Sequence, residues 1–391
     1  MRNLEDRPST RDGFEIAIIC ALPRETNAVL SAMDELWHDC RHHYGKVAGD
    51  DNSYDFGRIG SHSVVIVTLP NMGPVAASSA SRSLKISFSA IKLALLVGIC
   101  GAIPFKQDGS EIILGDVIIG ETIVELDYGR QYPHGFKRKD AVLDVHGRPN
   151  GEILSLLQRW KVPAILEILR RDSALHLRYL LEQMKADYPG ADQDVLFQAN
   201  YIHKHHASCV ECCDDGKHAC QCSLTASCGA LGCDQSQVVP RQRLEKADHG
   251  VPSPLIHIGS IGTGNAVIKS GTHRDQYAQS EGVIGFEMEG VGVWDNVSCI
   301  IVKGVCDYAD SHKNKIWQDY AAITAAAVAK AVLNEYVMPQ KLPQPPRSPY
   351  HLVGQNSQGI TDRRRHIDAQ RLTNQGQTLR SRTFRATAKF R

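Results

Sequence analysis

The sequence has almost no net charge and no long apolar run. Its 391 residues carry 44 Lys and Arg against 43 Asp and Glu, a formal net charge of +1. A near-neutral chain has no electrostatic attraction for nucleic acids, so a nucleic acid partner is not expected. Because no stretch of about 18 apolar residues occurs, no transmembrane helix and no membrane partner are predicted. The composition is typical of a soluble globular chain.

The N-terminus also lacks the apolar segment of a secretory signal. Residues 1–13 are mostly polar and are expected to form a disordered leader. Without an export signal the protein is expected in the cytoplasm, with the nucleus as the alternative. Twelve cysteines are many for such a location, and seven of them lie between Cys209 and Cys233. This cluster indicates a metal site or a local staple rather than a disulfide framework.

Short apolar runs alternate with helical patterns along most of the chain. The predicted strands cover residues 14–21, 62–69, 93–97, 112–120, 122–126, 255–261 and 298–305. Helices are predicted from Pro23, from Val75 and, in an Ala-rich segment, over 316–336. Strands that alternate with helices predict a layered α/β fold.

Residues 136–252 interrupt this alternation. One or two amphipathic helices are predicted between Glu152 and Met184, followed by the Cys-rich loop. We therefore predict one domain over 14–338 with an insertion at about 136–252. The remaining residues, 339–391, are basic and rich in Pro, Gln and Ser, so they are expected to form a disordered tail.

Acidic residues lie at both sides of the last predicted strand. Glu287 and Glu289 precede it, and Asp307 and Asp310 follow it. In open α/β sheets, ligands bind at the carboxyl ends of the strands. Carboxylates gathered there can hold sugar hydroxyls and transfer protons.

Two motifs carry a family resemblance. Phe-Glu-Met-Glu-Gly at 286–290, an apolar strand, and Cys-Asp-Tyr-Ala-Asp at 306–310 together resemble the nucleoside phosphorylase / nucleosidase superfamily, and most of all its fungal purine and uridine phosphorylase-like domains. The resemblance covers roughly residues 14–135 and 253–335. It implies a three-layer α/β/α fold with a central mixed, partly barrel-like sheet, a nucleoside as ligand, a homo-oligomer, and no cofactor for catalysis.

The same resemblance implies roles for the acids. Asp307 matches the aspartate that protonates the base, and Glu289 matches the glutamate that holds the ribose hydroxyls, with Met288 under the sugar. Glu287 is expected to support them. As alternatives, Asp307 and Asp310 could each cap the following segment, and Glu289 could be a first-turn helix acid that the dipole favours.

Two neighbouring residues favour opposite reactions. Glu25 matches the acid that activates water in nucleosidases, whereas Arg24 could bind phosphate as an arginine does in phosphorylases. The alternative for Glu25 is a residue that only begins a helix.

The loop at 98–102 favours water as the nucleophile. Gly98, Cys100 and Gly101 resemble the loop that contacts the nucleoside and its co-substrate, although close strand–helix packing would also need the glycines. Where phosphorylases have a phosphate-binding arginine and serine, this chain has Leu95 or Leu96 and Ile99. A phosphate dianion buried without cationic partners would cost on the order of several kcal/mol.

A second loop resembles the base cradle of the family. Val267 and Ile268 match the positions that sandwich and hydrogen-bond the base, but the usual aromatic residue is absent at Val267. Lys269, His273 and Arg274 follow, and we expect them to form a solvated charged face.

The Cys-rich loop suits a structural zinc ion. Cys209, Cys212, Cys220 and Cys222 are the predicted ligands, with further histidines at 203–206. A Cys-x-x-Cys pair with more Cys and His nearby is typical of tetrahedral zinc. A reduced or disulfide-stapled loop is the alternative, and no catalytic role is expected.

The sequence thus predicts an enzyme that cleaves the N-glycosidic bond of a nucleoside, with a purine as the expected base and hydrolysis favoured over phosphorolysis. One alternative is a phosphate-dependent phosphorylase. Another is a non-catalytic nucleoside-sensing or effector module, since similar fungal domains often precede NTPase and repeat domains. Because this chain ends after the domain, such a module is expected to need a separate partner.

Overall fold

The computed structural model describes residues 7–140, 149–206, 209, 219–246 and 253–338. The chain divides into two units, Met1–Tyr336 and Val337–Arg391. Every element below belongs to the first unit, and the predicted tail at 339–391 lies outside the described residues. None of the described helices combines the length and the apolar character needed to cross a membrane.

Eleven strands and ten helices form the described part of the first unit. The strands are β1 (Ile16–Cys20), β2 (Glu35–Leu36), β3 (Tyr54–Ile59), β4 (His62–Thr68), β5 (Leu93–Ala102), β6 (Val117–Glu125), β7 (Gly129–Tyr132), β8 (Gly135–Arg138), β9 (Ile256–Thr263), β10 (Val283–Glu287) and β11 (Cys299–Asp307). The helices are α1 (Pro23–Ala32), α2 (Arg41–Tyr44), α3 (Pro74–Ser87), α4 (Gly151–Trp160), α5 (Pro163–Met184), α6 (Cys228–Leu231), α7 (Gln242–Glu245), α8 (Gly271–Glu281), α9 (Gly290–Trp294) and α10 (Gln318–Glu335).

The main sheet is mixed and partly closed. Its strand order is β10-β9-β6-β11-β5-β1-β4-β3-β2, and β10 also pairs with β5. This extra antiparallel pairing closes β5, β11, β6, β9 and β10 into a barrel, and the other four strands extend from it. The predicted α/β fold with a central mixed, partly barrel-like sheet is therefore confirmed.

The central strands are continuous apolar runs that helices cover. Residues of β5 and β11 are almost all buried, as expected of strands covered on both faces. The Ala-rich α10 lies on both strands and also contacts α1 and α5. A side chain at Gly304 of β11 would overlap the backbone carbonyl of Ala321, so glycine is needed where helix and strand meet.

Several local predictions differ from the structure. The predicted strands 112–120 and 122–126 are one strand, β6, which begins only at Val117 and has a register shift after Gly120. The preceding residues instead turn around buried Asp116. Strand β3 and helix α8 were not predicted. Within the expected leader, Arg11–Gly13 forms a 3₁₀ turn.

The predicted insertion has two different parts. Its helices, α4 and α5, occur as expected, and α5 packs against α10 of the main domain. The Cys-rich part forms a small cluster of its own around Phe197, Leu231 and Cys233. The insertion therefore contributes both to the outer helices and to a separate local core.

Buried Asp116 connects the end of the insertion to the barrel. Its carboxylate accepts hydrogen bonds from Leu255 N (2.8 Å), His257 Nε2 (2.9 Å) and the guanidinium of Arg243 on α7. Burial alone would raise the pKa of Asp116, but His257 and Arg243 bring this pKa below its ordinary value. Because the folded pKa is the lower one, the stabilisation is present above the unfolded pKa and is lost as the pH falls through the folded one.

We predict that Asp116→Asn lowers the free energy of unfolding at pH 7 by about 3 kcal/mol, because Arg243 would lose its buried partner charge. Urea unfolding of the full chain measures this difference. Exposed Asp51→Asn is the control and should leave the midpoint unchanged. A loss for Asp116→Asn below about 1 kcal/mol, the scale of a surface ion pair, would contradict a stabilising role.

Candidate active site

The ends of β1, β5, β10 and β11 border one cavity of about 190 Å³. Its described lining comprises Ala21, Leu22, Glu25, Met72, Ile99, Cys100, Gly101, Leu126, Asp127, Gly262, Gly264, Ala266, Val267, Ile268, Tyr277, Phe286, Glu287, Met288, Glu289, Cys306, Asp307, Lys313 and Gln318. Nine of the residues singled out in the sequence are among them: Glu25, Cys100, Gly101, Val267, Ile268, Glu287, Met288, Glu289 and Asp307. The structure thus brings acids from separate segments to one place.

Glu25 lies in the first turn of α1, directly after β1. One carboxylate oxygen accepts from Ala21 N and Leu22 N, both at 2.8 Å, and the other accepts from Ile99 N at 2.8 Å. A carboxylate offers about four acceptor sites, so these bonds leave about one. Burial raises the pKa of Glu25, although the positive charge of Lys303 opposes the shift.

Gly98 of β5 makes room for this carboxylate. A side-chain carbon at residue 98 would overlap the carboxylate of Glu25. Gly98 therefore affects the cavity indirectly, because the absence of a side chain there lets the Glu25 carboxylate take its position.

Buried Lys303 of β11 holds two further glutamates. Its ammonium lies 3.2 Å from Glu289 Oε2 and 3.4 Å from Glu287 Oε2. Burial alone would lower the pKa of Lys303, but these carboxylates raise it above the ordinary value. The Lys303 ammonium therefore stays charged and holds the carboxylates of Glu287 and Glu289 in place.

Glu287 and Glu289 have different surroundings. Glu287 accepts from the backbone N–H groups of Glu289 (3.0 Å) and Gly290 (2.9 Å), so it orders the turn into α9. Glu289 accepts from Gly73 N at 3.2 Å in addition to Lys303. Two of its acceptor sites remain, and Glu289 also borders the cavity.

Asp307 is the last residue of β11. Its Oδ1 accepts from Ala309 N at 2.9 Å and lies 2.9 Å from the ammonium of Lys313. A side chain at Gly101 would come within 2.7 Å of the same oxygen, so Gly101 lets β5 pass close to this carboxylate. Asp307 thus combines a cap on the following turn with a position in the cavity wall.

Two aromatic rings supply the apolar surface of the cavity. Phe286 of β10 and Tyr277 of α8 both line it, with ring centroids 6.4 Å apart. Val267, where the sequence lacks an aromatic residue, is half-exposed at the rim, beside Ile268. The cavity therefore has aromatic residues that a base could stack on, but Phe286 and Tyr277 provide them instead of residue 267.

Arg24 and Arg274 differ from expectation. The guanidinium of Arg24 donates to Asp319 at 2.5 Å and borders a different depression, so it is not placed to hold phosphate in this cavity. Arg274, expected on a solvated face, is buried and donates to Tyr308 O at 2.9 Å and to Asp275 at 2.7 Å. Its charge is satisfied locally, which allows the burial.

Asp310 has a structural role. Its Oδ1 accepts a hydrogen bond from His312 N at 2.9 Å, so Asp310 caps this turn as predicted. Burial raises the pKa of Asp310 to about 6. Asp310 therefore orders the segment between Asp307 and Lys313.

Of the four predicted zinc ligands, two lie in one group of potential metal ligands. Cys209 and Cys220 lie together with His205, with their ligand atoms within 4.8 Å of one another. Cys222 is exposed, and Cys212 lies outside the described residues. Among the described residues, a second such group consists of His203, Cys228 and Cys233.

Sequence reasoning missed Lys303, Lys313, Phe286 and Tyr277. For Lys303 a signal was present, because a lysine inside the apolar run of β11 needs a buried anionic partner. For Lys313 and Tyr277 no local pattern marks the side chain, since their place depends on the fold.

Comparisons with known proteins agree with the fold. Residues 15–164 match the family model described as the phosphorylase superfamily. A nucleotide-binding leucine-rich repeat (NLR)-like protein of Hyaloscypha variabilis is 31% identical over 375 residues, which are 92% of this chain and 34% of that protein. This chain therefore spans about a third of that relative's length.

Solved structures with a similar fold include two nucleosidases and one hydrolase. The 5'-methylthioadenosine/S-adenosyl homocysteine nucleosidase of Helicobacter pylori is 12% identical, with a TM-score of 0.48 over 83% of this chain and 99% of its own. The S-adenosylhomocysteine nucleosidase of Streptococcus pyogenes is 14% identical, with a TM-score of 0.49 over 83% and 98%. Futalosine hydrolase of Helicobacter pylori is 15% identical, with a TM-score of 0.47 over 83% and 98%.

The family match covers β1 to α4, which includes Glu25 and the loop at 98–102. The two sequence motifs, at 286–290 and 306–310, lie beyond it and meet the same cavity. The match of residues 15–164 to the phosphorylase superfamily confirms the resemblance drawn from the sequence.

Proposed function

We propose that this protein hydrolyses the N-glycosidic bond of a nucleoside, with a purine as the base. The observation that supports this most is the meeting of Glu25, Glu289 and Asp307 at one cavity, although each comes from a different strand end. Glycoside cleavage needs a group for the sugar, one for the nucleophile and one for the leaving group. The three acids supply one of each.

Glu289 and Met288 would hold the ribose. Lys303 and Gly73 N fix the Glu289 carboxylate, and its two remaining acceptor sites suit a pair of vicinal hydroxyls. As the bond breaks, the sugar gains positive charge, which a nearby carboxylate stabilises. Met288 lines the same cavity and offers an apolar side chain.

Glu25 would activate the water. Its backbone bonds leave about one acceptor site for a water proton. Because burial raises the pKa of Glu25, the carboxylate is a stronger base than an exposed glutamate. The rigid position that Gly98 and the three N–H groups impose favours a single water geometry.

Asp307 would protonate or hydrogen-bond the departing base. A purine leaves more easily when a ring nitrogen receives a proton, typically with a gain of about 10²–10⁴ in rate. Phe286 and Tyr277 line the same cavity and would provide apolar ring surface for a planar base. Lys313, bonded to Asp307, keeps that carboxyl group oriented.

Charge placement favours water over phosphate. Of the described residues in the lining, Lys313 is the only cation, and it pairs with Asp307. Arg24 pairs with Asp319, and Ile99 N donates to Glu25, so neither is directed to a phosphate. A buried phosphate dianion needs such partners.

A nucleoside-sensing module is a second candidate, favoured by one observation. The NLR-like relative is about three times as long as the matched region, since this chain covers 34% of it. In such a protein the same cavity could bind a nucleoside without turnover. Under either function we expect a homo-oligomer, as the resemblance implied.

Purified protein incubated with adenosine, inosine, guanosine and uridine should release free base and ribose from a purine nucleoside, equally with and without phosphate. Chromatography of the products measures both. Phosphate-dependent ribose 1-phosphate would instead establish a phosphorylase, and nucleoside binding by calorimetry without base release would favour the sensor.

Replacement of Asp307 tests its role as the acid. Asp307→Asn should lower kcat at least about 100-fold, because amide nitrogen cannot supply the proton. Thermal unfolding should change little, since Asn can still accept from Ala309 N. Asp51→Asn is the matched control and should keep full activity. An unchanged kcat for Asp307→Asn removes this residue from the mechanism.

Replacement of Gly98 tests the placement of Glu25. Gly98→Ala should displace the Glu25 carboxylate and reduce kcat about 100-fold, the effect of a misplacement of roughly 1 Å. Gly151→Ala, at a position with open space, is the control and should behave as wild type. Steady-state kinetics decide the matter, and a Gly98→Ala enzyme with normal kcat would show that Glu25 does not position the water.

A further inference from the structure

The Cys-rich part of the insertion places one histidine against two cysteines. His203 Nδ1 lies 3.6 Å from Cys228 Sγ and 3.8 Å from Cys233 Sγ. We propose that these three residues bind a zinc ion, and that this ion anchors the loop between Asp307 and Lys313. The proposal does not depend on the reaction that the cavity catalyses.

The distances match tetrahedral zinc. Zn–S bonds of about 2.3 Å and Zn–N bonds of about 2.0–2.1 Å, at tetrahedral angles, separate a nitrogen from a sulfur by about 3.5 Å. The two observed separations exceed this value only slightly. All three ligand atoms lie within 4.8 Å of one another, so one ion can reach them all.

The histidine presents the correct nitrogen. Its Nε2 lies 3.0 Å from the carbonyl oxygen of Ala226, which can only accept a hydrogen bond. The proton is therefore on Nε2, and the lone pair of Nδ1 faces the two sulfurs. Metal-binding histidines generally donate their other N–H to such a partner, which fixes the ring and the tautomer.

The backbone preorganises the two cysteines. Cys228 is the first residue of the short helix α6, and Cys233 follows the left-handed Gly232 (φ 69°) that ends it. Cys233 N donates to Cys228 O at 3.0 Å. Ser227 caps the helix by accepting from Ala230 N. The turn thus holds both thiols on one side before any ion binds.

Charge is balanced at such a site. Binding releases one proton from each of the two thiols, and the resulting thiolates neutralise the divalent cation. The neutral imidazole supplies the third ligand. This set leaves one tetrahedral position for a further ligand.

A second group has the same chemistry. Cys220 Sγ lies 3.4 Å from His205 Nδ1, and Cys209 completes that group. We expect it to bind a second equivalent. Both proposed ligand sets combine His and Cys, and the second includes Cys209 and Cys220 of the four cysteines predicted from the sequence.

The proposed ion connects to the cavity through the loop after β11. His203 N donates to Ser311 Oγ at 3.0 Å. The ring of His312 stacks on Phe197 at 4.1 Å and meets His203 edge-on at 5.2 Å. Since Phe197 also packs with Cys233, fixing the metal ligands fixes residues 311 and 312. These residues lie between Asp307 and Lys313.

The test is metal analysis of the full chain after purification with and without added zinc. Wild type should bind about two equivalents by elemental analysis, and cobalt substitution should give thiolate-to-cobalt absorption. The double variant Cys228→Ser/Cys233→Ser should lose one equivalent. Cys222→Ser, in the same segment but outside both groups, should lose none. His203→Ala should lose one equivalent, and His203→Cys should retain it.

Full metal content in the double variant would overturn the proposal, as would a Cys228–Cys233 disulfide in freshly purified, metal-free wild type. The anchoring role has its own readout, which needs no variant. Chelation of wild type should speed amide hydrogen exchange in residues 308–313 by about tenfold or more, as expected when local order is lost. Unchanged exchange after complete metal removal would overturn the anchoring role.

Discussion

The ammonium of Lys303 is the interaction on which the cavity depends. Oxygens of both Glu287 and Glu289 lie within 3.4 Å of it, and its charge also acts on Glu25. Three buried carboxylates without a cation would repel one another and bind protons instead. Lys303 supplies the compensating positive charge, with its ammonium 3.2 Å from Glu289 Oε2. The lysine sits on β11, so the strand that carries Asp307 also stabilises the acids opposite it.

The barrel explains why these groups meet. Strand β11 lies between β5 and β6, and β10 reaches β5 through the closing pair of the barrel. Two sequence motifs that are separate along the chain thereby border the same space. In a flat sheet of the same order, β10 and β5 would be separated by three strands, and Glu289 could not approach the loop at 98–102.

Much of this arrangement could be predicted from local sequence. Glu25, Glu289 and Asp307 lie at or shortly after the ends of apolar runs. Because the carboxyl ends of strands in an α/β sheet border the ligand site, the positions of these residues follow from the strand assignment. Arg24 could not be placed in this way, because its partner Asp319 is 295 residues away in the chain. Arg274 looked solvated for the same reason, since its acceptor Tyr308 O belongs to another element. The late start of β6 likewise depends on the distant partners of Asp116.

The seam of the barrel has a consequence for ligands. Only two residue pairs, Gly285 with Ala102 and Phe286 with Gly101, join β10 to β5. Both Phe286 and Gly101 also border the cavity. This is the shortest strand pairing in the barrel. A small molecule seated there would contact both of its edges and hold them together.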